Sequence, residues 1–428
     1  MPFRFVHAAD IHLDSPLRSL ALRDLELAEL IGNATRRAFI DIIDLCLDEQ
    51  VDALLLAGDL YDGEQTSMKT ALFLALQLRK LHEAGIQVFI IRGNHDALSR
   101  ITKELTLPET VKVFGGRADV VQIARGRGDV PIAIHGMSFA RPQAPDSLLE
   151  HYKAPVEGAV NIGLMHTSLD GSPGHDQYAP CTVGDLQNSG FDYWALGHIH
   201  KRSVIAGRCK VVMPGMPQGR DINEAGPKSV SLVTVADDRS IMVEERLTSV
   251  AQFERIQVDL TGIDDWRDML AAIGGRLNDA RGVAASEHLI GRLQLSGATP
   301  LAWRIRSDID LIKTEAVALA FDVGKCWIEG VELTCAAPVQ AASQGAASSA
   351  VPVAELWQLI REDILSTEGY QAELRKIADE LRGQLPPECR HILGTDEAGF
   401  QARMGELAKE GVEDVLARLQ SPHMAEAG

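Results

Sequence analysis

The sequence predicts an α/β fold whose first part alternates strands and helices. Apolar runs at residues 3–7, 53–57 and 87–91 each end in polar residues, and segments of helical length separate them. This β-α-β-α-β order favours a layered architecture, in which functional side chains gather at the carboxyl ends of the strands. We therefore look for the functional site directly after each apolar run.

Composition indicates a globular protein of more than one domain. Of the 428 residues, 46% are hydrophobic and 24% are charged. No stretch reaches the roughly 18 uninterrupted apolar residues of a membrane span, and the N-terminus lacks a signal-peptide pattern. The six cysteines are scattered without a C-x-x-C pair, which argues against disulfides and a structural zinc site. We expect a cytoplasmic protein with no membrane partner.

The net charge of −18 limits how the chain can bind nucleic acid. Indiscriminate binding depends on basic surfaces that neutralise phosphates, and an acidic chain offers no such excess. Any contact with DNA must therefore be local, assisted by metal, or shared with a partner.

Four regions follow one another along the chain. Residues 1–250 form the main domain, whose later strands lack intervening helices, so we expect its second half to be more antiparallel. Residues 251–335 restart as strands and helices and predict a small α+β accessory domain. Residues 336–351 carry no charge and are rich in Ala, Ser, Gln and Gly, which predicts a flexible linker. Residues 352–428 predict amphipathic helices that dock on a partner or on a second copy of the chain.

Potential metal ligands follow five of the apolar runs. They are Asp10 with His12, Asp59, Asn94, His166, and His198 with His200, and Asn94 is followed directly by His95 and Asp96. Side chains alternate along a strand, so residues two apart share a face and can bind one ion. A single Gly-Asp pair usually only makes a turn, and a single histidine is often a hydrogen-bonded core residue. Five such motifs in order favour a metal site over these structural interpretations.

The residue types suggest a centre with two ions. Two divalent ions that share a carboxylate are a recurring device for hydrolysing phosphate esters. Asp59 is the candidate for the shared ligand, since it ends a buried run with a carboxylate that can face an ion on either side. Imidazole, carboxylate and amide oxygen suit Mn(II), Fe(II) or Zn(II). We expect two divalent ions, with Mn(II) as the first candidate and Fe(II), Zn(II) or Mg(II) as alternatives.

The motifs D-x-H, G-D-x-x-D, G-N-H-D, a single His and G-H-x-H resemble those of the calcineurin-like metallophosphoesterase superfamily. Residues 9–13, 55–62 and 92–96 are most similar to its DNA-repair exonuclease branch, the SbcD-like nuclease subunits. Residues 12–16 are similar to the YhaO-like bacterial paralogues of that branch. The resemblance implies an α-β-β-α sandwich at residues 1–250, a small α+β cap at 251–335 and partner-binding helices at the C-terminus.

The resemblance also implies a role for each motif residue. One ion is expected at Asp10, His12, Asp59 and His200. The other is expected at Asp59, Asn94, His166 and His198. His95 matches the catalytic histidine, which stabilises the transition state or protonates the leaving oxygen without binding metal. Asp96 is expected to orient the His95 ring.

Two further residues have open roles. Asp62 stands where archaeal and eukaryotic members of the branch carry a histidine. Whether the exonuclease mechanism of those members applies at this position is therefore open. His135 follows a strand and either approaches the site or is a structural histidine.

The activity that the resemblance implies is Mn(II)-dependent cleavage of phosphodiester bonds in DNA repair, by an exonuclease or endonuclease. An SbcC-like coiled-coil ATPase is the implied partner and would supply the missing basic surface. A small-molecule or cyclic-nucleotide phosphoesterase is the alternative, because metal motifs do not distinguish these substrates. The accessory domain and the tethered helices favour the nuclease. A scaffold without catalysis is disfavoured, since every ligand and His95 are present.

Overall fold

The structure of the chain is a computed structural model. It describes residues 1–15, 25–61, 67–97, 106–123, 126, 129–142, 144, 146–170, 178–337, 365, 367–385, 393–394 and 396–420. The chain divides into two units. The first comprises Met1–Arg255, Arg281–Gly291 and Lys325–Glu329, and the remaining residues belong to the second.

Six strands form the first sheet of the first unit. They are β1 (Phe3–Ala8), β2 (Ala53–Ala57), β3 (Gln87–Ile91), β4 (Val111–Val113), β11 (Ser229–Val235) and β12 (Ile241–Leu247). Their order across the sheet is β12-β11-β1-β2-β3-β4. The strands from β1 to β4 are parallel, as the alternation with helices predicts. β11 is antiparallel to both β1 and β12.

Six more strands form the second sheet. They are β5 (Asp119–Ile123), β6 (Ile132–Gly136), β7 (Val160–His166), β8 (Tyr193–Gly197), β9 (Ser203–Ala206) and β10 (Lys210–Met213). Their order is β5-β6-β7-β8-β10-β9. The expected antiparallel pairing occurs at the edges, between β5 and β6 and between β9 and β10. The four central strands are parallel, because the chain crosses back over the sheet between them.

Helices cover the outer faces of the two sheets. They are α1 (Leu25–Asp48), α2 (Met68–Glu83) and α3 (Val183–Asn188). Ser67 caps α2 by accepting a hydrogen bond from the Thr70 amide at 3.2 Å. α2 buries Leu74 and Leu78 but exposes Leu72.

Strand alternation divides the core of the first unit into layers. On β1, Val6 and Ala8 pack with residues of α1 and α2, whereas Phe3 and Phe5 pack with residues of the second sheet. The outer face of the second sheet packs Trp194 and other side chains against Leu186 of α3. The order of layers is therefore helix, sheet, sheet, helix, which confirms the predicted α-β-β-α sandwich.

His7 lies fully buried between the two sheets. Its Nε2 donates to the carbonyl oxygen of Leu196 at 3.1 Å, and its Nδ1 accepts from the Tyr193 hydroxyl at 3.0 Å. Burial disfavours the charged ring and lowers the pKa of His7 to about 3. His7 is thus a neutral core residue, as we expect for the histidines outside the motifs.

The stability contributed by His7 should depend on pH. The folded pKa is about 3 and the unfolded value is 6.5, so only the unfolded chain binds this proton as the pH falls below about 6.5. We expect the stability of the wild type relative to His7→Gln to fall by about 1.4 kcal/mol per pH unit in this range. Urea unfolding at pH 6.5, 5.5 and 4.5 measures this difference in the free energy of unfolding. His151→Gln, at an exposed histidine, is the control. A difference between wild type and His7→Gln that does not change with pH would contradict the buried neutral ring.

A third sheet and three helices follow in the chain. The strands are β13 (Ala251–Asp259), β14 (His288–Ser296) and β15 (Cys326–Leu333), in that order across the sheet, and the helices are α4 (Trp266–Val283), α5 (Ala302–Ser307) and α6 (Ile309–Val323). The boundary between the two units runs through these strands. This is the α+β pattern that the sequence predicts, and α5 and α6 are separated at Asp308.

Two C-terminal helices belong to the second unit. They are α7 (Glu368–Gln384) and α8 (Glu397–Gln420). Phe400 and Met404 of α8 pack with Leu374 and Ala378 of α7. α8 also contacts α5. Residues 338–351 of the predicted linker, and residues 352–364 of the predicted partner-binding helices, lie outside the described residues.

Five of the six cysteines lie in the part of the chain that the structure describes. Cys46, Cys181, Cys209, Cys326 and Cys335 are free and buried, and Cys389 lies outside the described residues. Among the helices within the described ranges, none combines the length and apolar character needed to cross a bilayer.

Candidate metal centre

The loops after β1 and β2 are joined by backbone hydrogen bonds. The Asp10 amide donates to the carbonyl oxygen of Gly58 at 3.1 Å, and the His12 amide donates to that of Asp59 at 3.0 Å. Because β1 and β2 are parallel neighbours, their carboxyl ends meet at the same edge of the sheet. The two predicted motifs are therefore brought together by the sheet itself.

Four of the predicted ligands adopt a left-handed backbone. The φ angles are 53° at Asp10, 46° at His12, 51° at Asp59 and 101° at His198. This region is uncommon for residues other than glycine, and the surrounding structure must stabilise it. The concentration of this strain at the predicted ligands is typical of a functional site.

His166 projects from the end of β7 toward the β2 loop and is fully buried. Its Nδ1 donates to the carbonyl oxygen of Ala57 at 2.9 Å. Its Nε2 then faces Asp59 Oδ2 at 3.3 Å and Asn94 Oδ1 at 3.1 Å. Three predicted ligands of one ion thus meet at a single point.

Glycines provide the space for these side chains. A Cβ at Gly93 would lie 2.3 Å from Asp59 Oδ1 and 2.7 Å from His166 Nε2. A Cβ at Gly58, where φ is 97°, would lie 2.4 Å from His166 Nδ1. The Gly-Asp and Gly-Asn pairs of the motifs are therefore required by close packing as well as by the turns.

Gly93→Ala should impair the centre while leaving the fold intact. Gly93 does not adopt a positive φ, so alanine fits the backbone, but its methyl group would displace the Asp59 and His166 side chains. We expect phosphoester hydrolysis to fall roughly 100-fold, since a misplacement of about 1 Å has that effect. The rate of bis-nitrophenyl phosphate hydrolysis measures the loss of activity, and the melting temperature shows whether the fold is intact. The control is Gly32→Ala, where a Cβ meets nothing within 4 Å; equal activity of the two variants would contradict the packing argument.

His12 and His200 face each other across a second part of the site. Their Nε2 atoms are 3.2 Å apart. That separation fits two nitrogens bound to one ion at about 2.0–2.1 Å each. Burial lowers the pKa of His12 to about 3, so its ring is neutral and can act as a ligand.

The ligand atoms form two overlapping groups. Asp10, His12 and His200 make one, and Asp10, Asp59 and His166 make the other, with ligand atoms in each group within 4.8 Å of one another. Asp10 belongs to both, because its loop lies between the β2 loop and the loop after β8. The assignment of Asp59 as the shared ligand stays a prediction, and Asp10 is now a second candidate for that role.

His198 completes the edge of the site. Its amide donates to both carboxylate oxygens of Asp10 at 3.0 Å. Its ring lies 5.2 Å from the His166 ring and 5.4 Å from that of Tyr178, measured between centroids. The loop after β8 therefore contributes a backbone donor and an imidazole to the same place.

The buried charges favour occupation by cations. Burial raises the pKa of Asp10 to about 6, and burial with Asp59 raises that of Asp96 to about 7. Burial alone would also raise the pKa of Asp59, but His166 holds it below its usual range. Burial alone would lower the pKa of His166, but the Asp59 carboxylate raises it to about 9. Three carboxylates buried this close together need positive charge beside them, so the residues present fit two divalent ions.

The loop after β3 carries His95 and Asp96. The His95 amide donates to Asp59 Oδ1 at 3.1 Å, while its exposed ring lies 5.2 Å from the His12 ring. Asp96 is fully buried and accepts hydrogen bonds from the amides of Leu60 and Gly93 at 3.1 and 2.6 Å. These bonds tie the β2 and β3 loops together, and the predicted role of Asp96 in orienting the His95 ring stays a prediction. Asp62 lies outside the described residues.

Comparison with known families agrees with this geometry. Residues 3–202 match the calcineurin-like phosphoesterase family. The chain carries a calcineurin-like metallophosphoesterase domain. Residues 253–336 match the middle domain of metallophosphoesterase YhaO. The metallophosphoesterase domain therefore contains every predicted ligand and His95.

Two curated relatives share part of the chain. This chain is 38% identical to the uncharacterized metallophosphoesterase YhaO of Bacillus subtilis over 258 residues, which are 60% of this chain and 63% of the relative. It is 27% identical to the DNA double-strand break repair protein Mre11 of Sulfurisphaera tokodaii over 207 residues, or 47% and 50%. The chain thus spans less than two thirds of either relative. The crystal structure of TT1561 of Thermus thermophilus is similar to this chain, with 14% identity and a TM-score of 0.33. The match covers 57% of this chain and 99% of the TT1561 chain, and it is too slight to bear on function.

Beyond the matched residues, the first unit contributes a further site residue that the motifs do not predict. Glu224 Oε1 accepts a hydrogen bond from His200 Nδ1 at 2.8 Å. Burial alone would raise the pKa of Glu224, but its hydrogen bonds from His200 and Arg220 hold it below its usual range. Glu224 follows His200 by 24 positions, and no local pattern in the sequence marks it.

His135 is a structural residue of the domain. On β6, Ile132 and Ile134 face the space between the sheets, so His135 points to the opposite face. Its Nε2 lies 3.0 Å from Asn161 Oδ1, and its ring lies 4.7 Å from that of Phe191. Of the two interpretations that the sequence left open, the structural one is correct.

Proposed function

We propose that the chain hydrolyses phosphodiester bonds in DNA with two divalent ions, of which Mn(II) is the first candidate, in the cytoplasm. The observation that carries the hydrolytic part is the pair of overlapping ligand groups, whose ligand atoms lie within 4.8 Å of one another in each group. Adjacent divalent ions are a recurring device for phosphate ester hydrolysis. The His95 ring lies beside these ligand groups, next to the His12 ring, and it is exposed to solvent, so it offers a proton donor there.

Each residue of the site has a defined task in this proposal. When bound, the two ions polarise the phosphoryl oxygens, activate a water molecule and stabilise the charge of the transition state. Asp10 and Asp59 would hold the ions by charge, and His12, His166 and His200 would present ring nitrogens to them. Hydrogen bonds from Nδ1 to the Ala57 carbonyl oxygen and to Glu224 set the ring directions of His166 and His200. His95 transfers a proton to the departing sugar oxygen, a task that suits imidazole near neutral pH.

DNA as the substrate is supported by similarity and by domain organisation. The matched relative from Sulfurisphaera tokodaii is named as a DNA double-strand break repair protein. A small-molecule or cyclic-nucleotide phosphoesterase is the second candidate, because the ligand groups recognise only a phosphoryl group and the net charge of −18 disfavours a polyanion. The second unit and its C-terminal helices favour DNA, since a small substrate requires neither.

The substrate is tested by direct cleavage assays. We expect the full chain with Mn(II) to cleave end-labelled linear duplex or single-stranded DNA and to hydrolyse bis-nitrophenyl phosphate. Asp59→Asn, purified in the same way, controls for a contaminating nuclease. Turnover of the ester without any DNA cleavage, both with and without an SbcC-like ATPase, would favour the small-molecule enzyme.

The C-terminal helices are the proposed docking surface for an SbcC-like coiled-coil ATPase. On α7, Ile377 and Leu381 lie one turn apart and are 57% and 48% exposed. An apolar cavity of about 360 Å³ between α7 and α8 is lined by Tyr370, Leu374, Leu407 and Val415, among others. An amphipathic helix or coiled coil is the kind of partner that such a surface binds.

Co-purification tests the partner. We expect the full chain to retain the ATPase and the double variant Ile377→Asp, Leu381→Asp to lose it, with Lys376→Ala on the same helix as the control. Failure of the full chain to retain the ATPase, or equal retention by the double variant, would contradict the proposal. Light scattering distinguishes the alternative, in which a second copy of the chain occupies this surface.

A further inference from the structure

Glu224 contacts the metal centre from outside every predicted motif. Its carboxylate accepts the hydrogen bond from His200 Nδ1 at 2.8 Å, and its side chain is only 12% exposed. It ends a short helical turn, Ile222–Glu224, which Asp221 caps by accepting from the Asn223 amide at 2.8 Å. The position of the carboxylate is therefore set by local backbone structure and not by a flexible loop alone.

Arg220 also holds this carboxylate. Its amide donates to Glu224 Oε2 at 2.7 Å, and its Nη2 donates to Glu224 Oε1 at 2.8 Å. Its Nη1 lies 3.5 Å from the hydroxyl of Ser15, whose amide donates to the His12 carbonyl oxygen at 3.0 Å. The Glu224 carboxylate is thus fixed between a guanidinium and an imidazole, next to the loop that carries His12.

We propose that Glu224 is a positioning residue of the metal centre, which keeps the proton of His200 on Nδ1 and turns its Nε2 toward the ion-binding position beside His12. A neutral imidazole has one protonated nitrogen, and only the other can bind metal. With Nδ1 donating to Glu224, the Nε2 atom that lies 3.2 Å from His12 Nε2 is the one with a lone pair. A carboxylate behind a ligating histidine also increases its basicity.

The alternative is an ion pair between Glu224 and Arg220 that merely stabilises the fold. In that case loss of the carboxylate would lower stability but would leave the His200 tautomer and the affinity for metal unchanged. The inference rests on the metal centre of the proposed function and does not depend on DNA as the substrate. Its readouts are therefore metal binding and ring protonation, which are independent of hydrolysis.

Titration of the metal-free full chain with Mn(II) by calorimetry is the first test. We expect Glu224→Ala to weaken one of the two binding events by about 10–100-fold, the usual effect of losing such a carboxylate. Glu224→Gln should weaken it less, because the amide oxygen still accepts from Nδ1. Glu49→Gln is the matched control, since it also removes a glutamate paired with arginine, at 2.6 Å from Arg4. Affinities within about twofold of wild type in Glu224→Ala, or equal weakening of both events, would overturn the inference.

Histidine NMR of the metal-free protein is the second test. We expect long-range ¹H–¹⁵N spectra to show His200 as the Nδ1-protonated tautomer in the wild type, assigned by the loss of its signals in His200→Gln. A mixture of tautomers should appear in Glu224→Ala. Protonation of His200 mainly on Nε2 in the wild type would overturn the inference even if Glu224→Ala failed to fold. Failure of the DNA cleavage assay alone would refute the substrate and leave these two results standing.

Discussion

Asp59→Asn is expected to reduce phosphoester hydrolysis about 1000-fold and to weaken both Mn(II) binding events. Removing one member of a buried set of charges costs roughly 4 kcal/mol, which corresponds to about three factors of ten when it is expressed in the transition state. The Asp59 carboxylate contacts His166 Nε2 and accepts from the His95 amide. The measurements are Mn(II) calorimetry and the rate of bis-nitrophenyl phosphate hydrolysis.

Three further variants are needed to interpret this result. Asp41→Asn, at a half-buried carboxylate on α1, should change neither quantity. His12→Ala should chiefly weaken one event, because His12 is a predicted ligand of one ion only, whereas Asp59 is the predicted shared ligand. If Asp59→Asn also weakened one event only, while Asp10→Asn weakened both, Asp10 would be the shared ligand instead.

His95→Ala is expected to reduce DNA cleavage by about 100–1000-fold with little change in Mn(II) affinity. Transfer of a proton to a leaving group typically contributes about 10²–10⁴-fold. The hydrogen bond from residue 95 to Asp59 comes from the backbone, so alanine retains it. The loss should be visible in kcat, and the metal titration should match the wild type.

The leaving group distinguishes the two roles considered for His95. Nitrophenolate leaves without a proton, so the loss with bis-nitrophenyl phosphate should be much smaller than the loss with DNA if His95 acts as the acid. Equal losses with both substrates would contradict proton transfer and favour stabilisation of the transition state. His151→Ala, at an exposed histidine in another loop, is the control.

Local pattern was sufficient to predict much of the site. The motifs at the ends of β1 and β2 could be placed because short apolar runs delimit the strands, and parallel neighbours bring their carboxyl ends together. Asp10, His12, Asp59, His166 and His200 do meet in two groups. The remaining predicted ligands, Asn94 and His198, lie beside them.

Other features depend on contacts between distant segments. His135 and His166 both stand near the carboxyl ends of strands, yet only His166 lies on the face toward the site, because strand register decides the side of the sheet. The centre of the second sheet is parallel although the sequence suggested antiparallel strands, because the chain crosses back over the sheet between these strands, by way of α3 between β7 and β8.

The sequence by itself determined the strand and helix order of the first sheet, the types of ligand and the order in which they occur. These properties are local, since they follow from apolar periodicity and from the residue at the end of each strand. Only the tertiary structure decided that Asp10 reaches both ligand groups, that Gly93 makes room for Asp59 and His166, and that Glu224 supports His200. Each of these depends on distances between segments far apart in the chain, which spacing along the sequence does not specify.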